Sequence, residues 1–282
     1  MVEVFGGFGN QIFQLNFAQF LKSYGFEVEI NIRDFKRVAK ENPEHLTVRR
    51  LVVSPNHFDH KVINNRDYYK YKFRRNTRDY RLTNKLFKNE KKFLLVTDKN
   101  FKIENLKKNN YFIGYWQNIN LLDKNKDYLI KSLSNNQNIN AGIKKEKNNK
   151  TMIHVRRNDY LRIKEELPKK YYDLAFSYLT ENEISQGFDI FTDDYEWCKN
   201  NKLFKNAGSI FSSSDSPSNT IKSFSKMLIY KNYIIANSTF SLLAAYFGES
   251  KESKVIYPDP WFKKRGYNDE LFNKNWIKIS YD

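Results

Sequence analysis

With 282 residues, 40% hydrophobic and 16% aromatic, the chain is long and apolar enough for one large domain or two ordinary ones, with a sizeable core. A single cysteine, Cys198, excludes an internal disulfide framework and a multi-cysteine metal site and agrees with a reducing compartment. A formal net charge of +17 calls for an anionic partner such as a phosphorylated ligand, a membrane surface or nucleic acid, unless it only reflects a lysine- and asparagine-rich composition throughout.

The first strand signal is Val2 to Phe5, followed at once by Gly6-Gly7-Phe8-Gly9-Asn10. Phe13, Phe17, Phe20, Leu21 and Tyr24 then recur at helical spacing, and Gly25 supplies a stop. Strict alternation over Glu27 to Ile32 puts Val28, Ile30 and Ile32 on one face of a second strand. Strand, glycine turn, helix, strand opens a parallel α/β layer. Phe93 to Val96 and Tyr111 to Tyr115 read as strands and Leu121 to Leu133 as a helix. Asn135 to Lys150 is polar and poor in large apolar residues, which predicts a linker or exposed crossing.

Beyond that point strands and helices alternate regularly. Strands are predicted at Thr151 to Val155, Phe188 to Thr192 and Tyr233 to Ala236, with a short one at Ser209 to Phe211. Helices are predicted at Pro168 to Leu179, through Trp197, at Thr220 to Tyr230 and from Thr239 to Gly248. Three apolar strands hand over to polar residues before a helix: Arg156-Arg157-Asn158-Asp159, Asp193-Asp194 and Asn237-Ser238-Thr239. In open α/β sheets, ligands bind outside the carboxyl ends of the strands, beside helix N-termini that favour anions. Arginine there can fork two hydrogen bonds onto a phosphate.

Period two puts His154 and Arg156 on one face of their strand and Val155 and Arg157 on the other. One arginine is therefore expected to face a ligand while the other anchors the turn, paired with Asp159. The plainer alternative is that both only bridge nearby carboxylates. The glycine turn lacks the third glycine of a dinucleotide fingerprint, because Ile12 stands there, and no Gly-Lys-Ser/Thr follows for a P-loop. It remains a turn that lets backbone amides approach a ligand at a helix N-terminus, with the amides of Asn10 and Gln11 beside it, or a tight turn with no ligand at all. His57 and His60 flank Asp59 but lack a clear scaffold and read as surface histidines. No Asp-x-Asp cation clamp is present and no metal site is expected.

Arg66 to Lys92 holds eleven Lys/Arg interleaved with Tyr68, Tyr69, Tyr71, Phe73 and Tyr80. Such a segment suits anionic lipid headgroups or a polyanion, or it is a solvated helical face with an aromatic inner side. No run approaches the roughly 18 apolar residues of a membrane span, and the opening MVEVFGGFGN has no leader-like character, so a cytoplasmic location is expected.

Taken together, GGFGNQIFQ, HVRRNDY, FTDD, ANSTFSLLAAYFG and the late PDPWF…NWIKI resemble, in order, the bacterial α-1,2-fucosyltransferases of glycosyltransferase family 11. The arginine motif is shared more widely with α-1,6- and protein O-fucosyltransferases. The resemblance implies an α/β, GT-B-like fold: an acceptor-side Rossmann-like domain over 1–140, a GDP-sugar-binding one over 150–260, and a segment over 261–282 packing back on the first. It implies GDP-fucose in the cleft between the domains and no metal or other cofactor. Arg156 resembles the arginine that holds the β-phosphate, and His154 with Asp193 or Asp194 resemble guanosine contacts. Ser238 and Thr239 match a hydroxyl-bearing turn near the diphosphate, and Asn10 the asparagine beside the β-phosphate or fucose. Gly7, Gly9, Gln11, Arg157 and Asn237 complete the donor site so implied. Asn158 departs from the common glycine of the arginine motif, and Asp259-Pro260 from a pair of lysines before Trp261.

The function implied is an inverting transfer of L-fucose from GDP-fucose to the 2-hydroxyl of a galactose-type acceptor in a surface glycan such as O-antigen or lipopolysaccharide. The acceptor is then an oligosaccharide, lipid-linked in such a pathway, met at the inner face of the inner membrane through Arg66 to Lys92. Asp159 is the nearest carboxylate for a general base, with Glu165 and Glu166 as further candidates, and a nearly dissociated donor would need none. Two readings compete: transfer of another GDP-sugar, such as GDP-mannose, and a basic nucleic-acid-binding protein. The latter would leave the polar strand ends without purpose, so nucleic acid is not an expected partner.

Overall fold

The computed structural model describes residues 1–32, 35, 49–63, 94–99, 101–106, 110–184, 187–212, 216–264, 266, 267 and 269–282. The basic segment Arg66 to Lys92 lies outside the described residues. Two parallel sheets form the frame. The first contains β1 (Val2–Glu3), β2 (Glu29–Asn31), β3 (Lys61–Val62), β4 (Leu94–Thr97) and β5 (Asn110–Ile113), in the order β3-β2-β1-β5-β4. The second contains β6 (Asn148–Val155), β7 (Phe188–Thr192), β8 (Ile210–Ser212), β9 (Tyr230–Ile234), β10 (Val255–Asp259) and β11 (Ile277–Ser280), in the order β11-β10-β9-β6-β7-β8. In the second sheet the chain starts in an inner strand, winds out one way and then returns to wind out the other; in the first it winds out from β1 to β3, crosses to the far edge at β4 and comes back in to β5. In the second sheet the order therefore reverses beside β6, and such a switch point is where open parallel sheets accept ligands.

Sequence and packing agree at the centre of the second sheet. Ile153 lies opposite Ile190 on β7 and Ile234 on β9, and every residue from Thr151 to Val155 is buried. A strand covered on both faces reads as an apolar run rather than as an alternation. Two helices join the sheets. Helix α1 (Phe8–Ser23) follows β1, and the helix Thr239–Gly248, which follows β9, packs on it. The first has twelve of its sixteen residues buried and the second eight of ten, so neither is a surface helix with one apolar stripe. Through them one apolar cluster runs from Val2 and Phe13 to Leu242 and Trp261.

The stretch expected as a linker is folded. It contains the helix Gln137–Lys144 and the first residues of β6. Asn136 caps that helix by accepting the N–H groups of Asn138 and Ile139. Ile139 is buried, and a Cβ on Gly142 would come 2.5 Å from the carbonyl oxygen of Ser225 on the helix Pro217–Met227. One covered face of a polar helix carries too few large apolar residues to stand out in composition. The predicted helix over 121–133 is two, Ile119–Lys124 and Lys126–Ser134. At the C-terminus, β11 adds a strand to the second sheet while the turn Asp269–Leu271 contacts the helix Ile119–Lys124 of the first half.

Candidate functional site

A cavity of about 1060 Å³ opens where residues just after β1, β4, β5, β6, β9 and β10 meet. Its wall includes Gly7, Gly9 and Asn10 from the glycine turn, His154, Arg156 and Asp159 from the arginine motif, and Asn237, Ser238 and Thr239. Carboxyl ends of strands from both sheets therefore face one space.

The glycine turn uses its glycines for different reasons. Gly6 has φ +79°, a conformation that favours glycine. Gly7 caps α1, and a Cβ there would meet nothing within 4 Å. Gly9 is a contact glycine: a Cβ would lie 2.6 Å from the carbonyl carbon and Oγ1 of Thr239. Without it the N-termini of α1 and the helix Thr239–Gly248 could not come so close. Asn10 bridges the same junction, its Oδ1 accepting from Nε2 of Gln117 at 2.9 Å and from Oγ1 of Thr239 at 3.2 Å. Neither helix carries an acidic residue in its first turn, so both N-termini keep their positive ends toward the cavity.

Gln11, expected beside the donor, is fully buried and off the cavity wall. Its Nε2 donates to the carbonyls of Gly6 and Arg50, and its Oε1 accepts from the N–H of Val52 and Val53. It holds the segment that carries Arg49 and Arg50 to the cavity. Gln14 works similarly, accepting from Phe5 N–H and donating to the Gly114 carbonyl.

His154 and Arg156 share the cavity side of β6, as period two predicts. Ring nitrogen Nδ1 of His154 lies 2.8 Å from Oγ of Ser241. Burial, reinforced by the charge of Arg156, lowers the imidazole pKa to about 3, so the ring is neutral near pH 7. Arg156 spans two carboxylates, with Nη2 2.6 Å from Oδ1 of Asp159 and Nη1 2.9 Å from Oδ2 of Asp193. Burial opposes its charge, but Asp193 and Asp159 outweigh that and push its pKa up. A guanidinium has more N–H donors than these two contacts use, so it can still serve an anion in the cavity.

The ion pairs correct the expected partnership. Asp159 belongs to Arg156 and to Arg49, whose Nη2 lies 2.5 Å from its Oδ2. Arg157 instead donates through Nε to Oδ2 of Asp194 at 3.0 Å and lies 4.1 Å over the Trp197 ring. Its backbone N–H donates to Oδ1 of Asp193 at 2.8 Å. Arg157, Asp193 and Asp194 are absent from the cavity wall. The two aspartates stand behind the arginines and orient them; Asp194 also caps the helix Tyr195–Asn200. Glu165 and Glu166 do not line the cavity either. Glu165 is buried and accepts the N–H groups of Lys263 and Lys264, tying down the loop after Trp261, while Glu166 pairs with Lys263. The Asn237 side chain is buried and donates to the Glu165 carbonyl, and Ser238 caps its helix through the Phe240 N–H. His60, expected at the surface, is buried with Nε2 3.1 Å from the Leu15 carbonyl oxygen, whereas His57 is exposed. Among the described residues no three His, Cys, Asp or Glu converge as a metal-binding group.

Sequence reasoning missed the first-half wall: Arg49, Arg50, Asp98, Lys99, Tyr115 and Gln117. Asp98 and Lys99 directly follow β4, so the strand-end logic used for β6 would have found them. Gln117 follows Trp116, whose φ of +54° is unusual for a bulky residue. Stacking of Trp116 on Phe17, with centroids 3.8 Å apart, holds that strained turn and aims Gln117 at Asn10. Among the described residues of the wall, Arg49, Arg50, Lys99 and Arg156 face Asp98 and Asp159, an excess of two positive charges. With two helix N-termini added, the cavity suits a polyanion such as a diphosphate.

Among the described residues, no helix is long and apolar enough to cross a membrane. The glycosyl transferase family 11 model matches residues 46–280. The O-antigen biosynthesis glycosyltransferase WbnK of Escherichia coli is 26% identical, over 97% of this chain and 98% of its own length. An alpha-1,2-colitosyltransferase of Escherichia coli is 29% identical, over 97% of this chain and 96% of its own. With the family matched across most of its length and Asn10, His154, Arg156 and Asn237 to Thr239 of the motifs lining one cationic cavity, the chain belongs to glycosyltransferase family 11.

Proposed function

We propose that this glycosyltransferase moves L-fucose from GDP-fucose to the 2-hydroxyl of a galactose-type residue, with inversion, during assembly of an O-antigen-like surface glycan. Family membership and the α-1,2 linkage in one relative's name support the linkage, and WbnK's name supports the pathway. The observation that carries the reading is the convergence of Arg156 with the N-termini of α1 and the helix Thr239–Gly248 on one cavity. On this reading the two sheets are the halves of a GT-B-like enzyme, with the donor diphosphate at the strand ends they turn to the cavity and His154 beside it. As the bond between the fucose anomeric carbon and the phosphate oxygen loosens, negative charge grows on the β-phosphate. Arg156 and backbone N–H groups fixed in advance stabilise that charge more in the transition state than in the ground state. Asp193 and Asp194 act through the arginines they hold. The acceptor is a lipid-linked oligosaccharide reached from the cytoplasmic face of the membrane, and the basic, aromatic composition of Arg66 to Lys92 suits anionic headgroups. The likeness to a colitosyltransferase favours one second reading, in which GDP-linked colitose replaces GDP-fucose.

Incubation with GDP-fucose and a galactoside, followed by NMR assignment of the product linkage, is expected to give an α-1,2-fucoside. Transfer from GDP-colitose alone would favour the second reading, and no transfer from any GDP-sugar would overturn both. GDP at about a hundred times its dissociation constant is expected to stabilise the protein by roughly 2.7 kcal/mol, with no comparable shift from UDP. Equal shifts from the two nucleotides would sink the guanine assignment. Because arginine supplies the countercharge in this reading, activity is expected to survive EDTA; full loss restored by Mn²⁺ or Mg²⁺ would contradict it.

A further inference from the structure

We infer that Asp98 takes the proton from the attacking hydroxyl; this deepens the proposed glycosyl transfer and rests on it. Among the described residues two carboxylates line the cavity, Asp98 and Asp159. Asp159 has one oxygen on Arg156 and the other on Arg49, so both are committed to guanidinium groups. Asp98 is built differently. Its Oδ2 accepts the Tyr115 N–H at 3.0 Å, while its Oδ1 has no hydrogen bond or ion pair among the described residues. Anchored at one oxygen and open at the other, the carboxylate has the disposition of an oriented base.

Its place in the fold agrees. Asp98 follows β4 and lies against the end of β5, on the first sheet, where ligands of parallel sheets dock. Arg156 and the turn Asn237 to Thr239 come from the second sheet. The arginine for the donor phosphate and the base for the acceptor hydroxyl would thus come from different sheets. Gly114 lets the carboxylate settle there: a Cβ on it would lie 2.9 Å from both Cγ and Oδ2 of Asp98. In the step, the acceptor oxygen forms its bond to the sugar anomeric carbon and gives its proton to Oδ1. The bond from that carbon to the β-phosphate oxygen breaks, and its electron pair leaves with GDP. The carboxylic acid then returns the proton to solvent.

The test compares the parent with Asp98→Asn, Asp98→Glu and Gly114→Ala, reading kcat, acceptor KM, the pH profile of kcat and the Tm rise caused by GDP. Asp98→Asn is expected to lose about a hundredfold or more in kcat and the fall of kcat on the acid side, while GDP still raises its Tm. Asp98→Glu should recover part of the turnover. Gly114→Ala keeps the carboxylate but pushes a flexible side chain aside, and should lower kcat on the order of tenfold. Near-parental kcat in Asp98→Asn, or a change confined to acceptor KM, would overturn the assignment. A parent inactive with every GDP-sugar would overturn the transfer reading itself, and the assignment with it.

Discussion

Arg156→Lys is expected to lower kcat by about a hundredfold or more and to lower Tm as well. Lysine keeps the charge but offers a single nitrogen, which cannot reach Asp159 and Asp193 from the positions Nη1 and Nη2 now occupy and also meet a phosphate. The Asp193 side chain is only 6% exposed, so an oxygen left without its partner stays out of water. Breaking this nearly buried ion pair is expected to lower Tm by several degrees. The kinetic loss should exceed what that destabilisation explains, because the phosphate contact strengthens as charge develops. Arg157→Lys is the control. It gives up the Nε bond to Asp194 and the guanidinium face over Trp197, so it should lower Tm while leaving kcat within about threefold. Near-parental turnover in Arg156→Lys beside a dead but stable Arg157→Lys would reverse the two roles.

Gly9→Ala is expected to separate the two halves of the site. The new methyl would lie 2.6 Å from the Thr239 carbonyl carbon, and backbone cannot swing aside as a side chain can. Either α1 or the helix Thr239–Gly248 must shift, at a cost typical of overpacking, about 1–3 kcal/mol. The shift would also part Asn10 from Thr239 and move one anion-facing helix end relative to the other. Both a lower Tm and a smaller GDP-induced rise in Tm are therefore expected. Gly7→Ala, where a Cβ meets nothing within 4 Å, should be mild by comparison. Equal effects of the two substitutions would show that the Gly9 contact is not what sets the junction.

The second sheet was the legible part of the molecule. Its strands β6, β7 and β9 are largely buried runs followed by Arg, Asp or Asn-Ser-Thr, and a strand end needs no knowledge of distant contacts to be read. Strand periodicity put Arg156 on the face of His154, opposite Arg157, and the family resemblance singled out Arg156 as the phosphate arginine. Its partners were not legible in this way, because Asp159, Asp193 and Asp194 all stand within reach in sequence or fold and only the turn geometry chooses among them. Gln11 misled for a related reason: an amide beside a glycine turn looks ligand-facing, yet its four bonds run to Gly6 and residues 50–53. The first sheet was harder because its strands are only two to four residues long, too short for periodicity to speak. Asp98 follows one such strand and was open to the same strand-end reading, whereas Arg49 reaches the cavity through a loop, so its role emerges only in three dimensions.

A crystal structure of the GDP complex tests the central claim most directly. The account predicts a β-phosphate within hydrogen-bonding distance of the Arg156 guanidinium and of backbone N–H groups at the start of α1 or of the helix Thr239–Gly248. GDP bound away from these groups, with Arg156 still engaged only by Asp159 and Asp193, would contradict it.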